Sequence, residues 1–123
     1  IEIIKKILEK NIKLRIHIGP FIPYLSSFEN IIKNLPEGIK EINVELYNSK
    51  MGNLEDLTKK IQRFSKDLSK KILDIYKDKE NYLNFSKNLE EEIKKYKEKG
   101  YKFCYIVPEF DSFYNNIDYN KFI

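Results

Sequence analysis

Two short segments of this chain alternate apolar and polar residues with a period of two, a third is a short apolar run, and helix-patterned stretches, not hairpin turns, separate them. In residues 14–18, Leu14, Ile16 and Ile18 fall on one side and Arg15 and His17 on the other. Residues 42–47 set Ile42, Val44 and Leu46 against Asn43, Glu45 and Tyr47. Residues 102–107 form a third, more apolar strand closed by Pro108. Antiparallel neighbours need only a tight turn between them, whereas parallel ones need a crossover of a dozen or more residues. The predicted order is therefore α-β-α-β-α-α-β, an α/β fold of parallel βα units.

The helical stretches are legible from their stripes and stops. Ile3, Ile4, Ile7 and Leu8 give residues 2–10 one apolar face, and Asn11 suits the stop. Gly19-Pro20-Phe21-Ile22-Pro23 is expected to end the first strand, since proline cannot donate to a ladder. Ser26 is predicted to cap a helix over residues 27–34, with Glu29 three residues on completing the box. Pro36-Glu37-Gly38 marks a turn. From Leu54 onward a stripe of Leu57, Ile61, Phe64, Leu68, Ile72 and Ile75 predicts one long helix. After a break near residues 78–80, Tyr82, Phe85, Leu89, Ile93 and Tyr96 continue the pattern until Lys99 and Gly100 end it. Residues 1–110 then read as a single α/β domain or half-barrel fragment with a helical crossover over 54–98, followed by a polar, aromatic tail over 111–123.

A length of 123 residues suits one domain. It is short of the roughly 250 residues of an enclosed barrel. The net charge of +4 comes from 23 basic against 19 acidic residues, largely lysines interleaved with glutamates, and no basic stripe can be isolated. The single cysteine, Cys104, excludes an internal disulfide and a multi-thiolate metal site within this chain, and points to a reducing, cytoplasmic setting. No run approaches the roughly 20 apolar residues of a membrane span, so no membrane partner is expected. The first residues lack the form of a secretory signal, and Ile1 in place of Met is compatible with processing or with a fragment.

Strands buried on both faces usually read as nearly continuous apolar runs, yet the first two strands here carry polar residues opposite their aliphatic side. If the aliphatic side meets the helices, Arg15, His17, Asn43, Glu45 and Tyr47 project toward an interior or cleft, and they form the best candidate site. A merely wet sheet face is the competing reading. His17 can serve as base or hydrogen-bond donor, because imidazole changes charge near neutral pH. Glu45 can bind a ribose hydroxyl or accept from Arg15 across the sheet. Cys104, inside an apolar strand, reads as a small hydrophobe. Gly19 permits close backbone approach at a strand's C-terminal end, where α/β proteins place ligands. Neither a P-loop nor a dinucleotide fingerprint is present.

These same residues resemble the later half of the radical S-adenosylmethionine (SAM) enzyme core, in particular its photoproduct-lyase-like branch. The matching pieces are the short helix with its Asn11-Ile12-Lys13 linker, the strand 14–18, the turn Gly19-Pro20-Phe21-Ile22-Pro23, the capped helix, and the strand ending Glu45-Leu46-Tyr47-Asn48. Residues 101–107 match more loosely. Gly19 and Ile22 fit the family's SAM-side turn, while Tyr24 stands where a second glycine is often found. The three-cysteine motif that holds the [4Fe-4S] cluster is absent. The resemblance implies part of a partial (β/α) TIM-like barrel with lyase-type radical chemistry. It implies that Gly19, Pro20, Ile22 and Asn43 contact SAM and that Arg15, His17 and Glu45 act near SAM or substrate. The cluster would sit on a missing N-terminal half of the same protein, so this chain alone would not be active. Two other readings stay open: a non-catalytic α/β interaction domain using the helical stripe or the tail, and a nucleic-acid contact through lysines and exposed tyrosines.

Overall fold

A computed structural model describes residues 2–49, 53–108 and 110. Its elements are α1 (Glu2–Glu9), β1 (Arg15–Phe21), α2 (Phe28–Asn34), β2 (Glu41–Leu46), α3 (Leu54–Gln62), α4 (Lys66–Lys77), α5 (Lys79–Lys97) and β3 (Lys102–Ile106). The strands form one parallel sheet in the order β1-β2-β3, as the crossover argument requires. The predicted tail over 111–123 lies outside the described residues.

Alternation divides the sheet into two unlike faces. Ile42, Val44 and Leu46 of β2 are buried, while Glu41, Asn43 and Glu45 between them are half-buried. On the aliphatic side Phe28 of α2 meets Tyr96 of α5 and Phe103 of β3, with ring centroids 5.1 and 5.6 Å away. The Tyr105 hydroxyl donates to the Ser86 carbonyl of α5 at 3.1 Å. Tyr76 of α4 packs edge-on against Tyr47, and its hydroxyl donates to the Tyr47 carbonyl at 2.8 Å. α3 joins through α4, where the buried Ser69 hydroxyl donates to the Thr58 carbonyl. Residues on the opposite face of the edge strands, among them Arg15, His17, Lys102 and Cys104, are exposed.

Several expectations change. The long helix divides into α3 and α4, because the Ser65 hydroxyl accepts from Leu68 N and starts a new helix. Phe64 then falls in the corner and is 90% exposed, although its spacing placed it on the buried stripe. α2 is capped by Ser27, whose hydroxyl accepts from Asn30 N, while Ser26 closes the preceding turn by accepting from Ile22 N. β1 continues through Pro20 to Phe21 by a shift of register, which an edge strand tolerates where a central one would lose a ladder bond. None of α1's apolar side chains is fully buried. Asn11 and Gly100 do take the left-handed stop conformation, with φ of 57° and 95°. Tyr24, at the position where the resemblance favours glycine, also has a positive φ of 62°.

Candidate functional site

Parallel register brings the polar side chains into rows across the open face. Arg15 lies opposite Glu41, which lies opposite Lys102; His17 lies opposite Asn43, which lies opposite Cys104. Glu45 is one polar step further along β2, opposite Ile106. Arg15, His17, Asn43 and Glu45 do share one face, as their alternation predicts. Tyr47 does not join them: β2 ends at Leu46, and Tyr47 turns into the core at 7% exposure. Cys104 is exposed on the open face and not in an apolar setting.

The pairing also differs from the expected Arg15–Glu45 contact. Arg15 donates from Nε and Nη2 to Glu41 Oε2 at 3.2 and 3.1 Å, and Lys13 Nζ stands 3.0 Å from the other oxygen. His17 takes Glu45 instead, with Nε2 3.3 Å from Oε2. The face thus has a basic-acidic cluster at the N-terminal ends of its strands and an imidazole-carboxylate pair further toward their C-terminal ends. In α/β folds the first end serves mainly stability and the second carries ligand chemistry. Arg15 thus pairs with Glu41 at the first end, while His17, Glu45 and the half-buried Asn43 stand nearer the second. A cavity of about 750 Å³ opens at the foot of the sheet beside Leu8, Leu14 and Lys40, at the end away from His17 and Glu45.

Gly19 acts on this pair directly. A Cβ at residue 19 would lie 2.5 Å from His17 Nε2 and 3.0 Å from Cδ2, so the imidazole occupies the space that glycine leaves. Ile22, expected at SAM, packs against the hydrophobic core, while Pro20 remains exposed. No family model matches the chain, and neither a curated protein nor a solved structure shows a significant match. Among the described residues no helix is long and apolar enough to cross a membrane, and no three His, Cys, Asp or Glu side chains group as metal ligands.

β2 begins at Glu41, one residue ahead of the strand expected over 42–47. The alternation of Asn43 and Glu45, carried back by one step, places Glu41 on the polar face. Hydrogen bonds from Lys13, then Arg15, hold its carboxyl below the ordinary value of 4.5. A depressed carboxylate pKa contributes stability above the unfolded value that is lost as pH falls through the folded one. Glu41→Gln should therefore lower stability at neutral pH and flatten its decline below about pH 4.5, as read by urea denaturation at several pH values. Parallel pH profiles for the two proteins would rule out this role.

Proposed function

We propose that this chain forms part of the wall of a larger (β/α) barrel, with His17 and Glu45 as ligand-binding groups on its inner face. The observation that carries the reading is the one-sided sheet: three parallel strands in sequential order, helices against the aliphatic face, and charged residues on the other. Parallel sheets are almost always covered on both faces, and a barrel covers the second one by closing on itself. In this chain alone the His17 and Glu45 side chains are 50% and 37% exposed, so the enclosed site expected from sequence needs residues from outside it. A carboxylate beside an imidazole fixes the ring's orientation, leaving it able to accept or deliver a proton at a ligand.

The most specific form of the reading rests on the resemblance alone: the SAM- and substrate-binding half of a radical SAM enzyme, acting in the cytoplasm. The cluster does not fit this chain, whose one thiol is Cys104, and no reaction step is assigned to it. SAM would meet the His17 ring where the Gly19 backbone was expected. The alternative of an interaction domain built on the Leu54 to Ile75 stripe loses support, because Leu54, Ile61, Ile72 and Ile75 are buried within the chain.

Anaerobic equilibrium dialysis of the complete polypeptide against SAM tests the specific form, and binding is expected. Glu45→Gln and His17→Ala should each weaken it by about ten- to a hundredfold, the range for losing a hydrogen bond to a charged group. Absence of SAM binding removes the radical SAM form. Binding that both variants retain removes the role of the pair.

A further inference from the structure

Two local rules are broken at one corner of the molecule, between α3 and α4. Phe64 keeps the spacing of a core residue and is nevertheless 90% exposed. Lys66 opens α4, where the positive end of the helix dipole disfavours a cation. Neither choice helps the fold, and sequence choices that work against local stability are expected at functional positions. The chain shows no basic stripe along its length, but both residues lie in one locally basic stretch. Residues 59–71 carry six cations, Lys59, Lys60, Arg63, Lys66, Lys70 and Lys71, against the single anion Asp67.

All six are exposed. Lys59, Lys60 and Lys71 are paired with Glu55, Asp56 and Asp67 along their helices. Arg63, Lys66 and Lys70 have no carboxylate partner among the described residues. Helix stability accounts for basic residues in the last turn of α3, but not for an unpaired cation at the start of α4.

We infer that the α3–α4 corner binds single-stranded nucleic acid, with the Phe64 ring stacking on a base and Arg63, Lys66 and Lys70 contacting phosphates. Single-strand binders combine cations that follow the backbone with exposed rings on which bases stack, and Phe64 supplies one such ring beside three unpaired cations. Insertion into a lipid surface scales with buried apolar area, and Phe64 is the one large apolar side chain exposed within α3, α4 and their corner among the described residues. Of the tyrosines, Tyr47, Tyr76 and Tyr82 are buried and unable to stack on a base, while Tyr24 is exposed but lies outside this corner. The inference does not depend on the sheet face.

The chain has no tryptophan, so Phe64→Trp places a single fluorescent reporter at the corner. Oligo(dT) of about 12 nucleotides, within the usual site sizes, is expected to quench it. Affinity should fall with salt along a log-log slope of about −2, from roughly 0.7 for each of three phosphates. Phe64→Ala should weaken anisotropy-detected binding on the order of tenfold at an unchanged slope, whereas Arg63→Gln with Lys66→Gln should reduce the slope to about −0.7. These side chains are exposed, so the variants should keep the wild-type circular dichroism. No oligonucleotide binding at low salt, wild-type affinity in Phe64→Ala, or a blue shift with phosphatidylserine vesicles in place of quenching by oligo(dT) would each overturn the inference.

Discussion

Replacing Tyr76 by Ala is expected to destabilise the fold by about 3–5 kcal/mol, the range for removing a buried aromatic ring. Tyr76 is 1% exposed and stands where α4 meets the end of β2 and the start of α5. Its ring lies 5.7 Å from Tyr47 and 5.6 Å from Tyr82, both within the favourable range for aromatic pairs. Burial raises the phenol's pKa far above its usual value, with the neighbouring Tyr82 and Tyr47 adding to the shift. The hydroxyl therefore remains a donor to the Tyr47 carbonyl at any ordinary pH. Tyr76→Phe keeps the ring and loses that bond, which costs about 1 kcal/mol. Total stabilities are about 5–15 kcal/mol, so the Ala variant should melt on the order of 10–20 °C lower and the Phe variant only a few degrees lower. Equal losses for the two variants would mean that the hydroxyl, not the packed ring, holds this junction; a loss below about 1 kcal/mol in Tyr76→Ala would place the ring outside the core.

The first two strands were legible because period-two alternation is a local signal, the third because it is a short apolar run closed by Pro108, and crossover length fixes the parallel sense. The division of α3 from α4 was harder. Phe64 continues the helical period, and only Ser65, a preferred capping residue followed by a good helical turn, reveals the break. Capping chemistry outweighed periodicity there. Ser26 and Ser27 show the opposite limit, since two adjacent hydroxyls were equally suited to the cap. The backbone assigned one to the helix and the other to the turn at Ile22.

The composition of the polar face could be read from alternation, but its pairings could not. Register between strands is a non-local quantity set by how the sheet packs, and it gave Arg15 to Glu41 rather than to Glu45. Cys104 was misplaced for a related reason. Phe103, Cys104, Tyr105 and Ile106 are apolar on both sides of the strand, so the sequence carries no signal for which side is uncovered. Only the packing of Phe28 of α2 on Phe103 and the bond of Tyr105 to Ser86 of α5 decide it.

Gly19→Ala should disable the His17–Glu45 pair while leaving the fold as stable as before or slightly more so. Its backbone lies outside the positive-φ region where alanine would be strained. A new methyl group would approach His17 Nε2 at 2.5 Å, and what yields is the end of a half-exposed, flexible side chain. Swinging the imidazole away costs the fold little. Removing glycine also restricts the unfolded chain, which favours the native state by about 0.4–1 kcal/mol. The pair cannot survive the same movement, because its 3.3 Å separation depends on the ring lying over residue 19. His17 is the only histidine, so its imidazole resonances can be followed without overlap. They are expected to move in Gly19→Ala in the direction seen with Glu45→Gln at the same pH. Under the proposed function Gly19→Ala should weaken SAM binding as much as His17→Ala does, and combining the two should add little, since both remove one interaction. Unshifted imidazole resonances in Gly19→Ala would show that the ring does not rest on this glycine. A fully additive double variant would show that Gly19 meets the ligand by its own backbone.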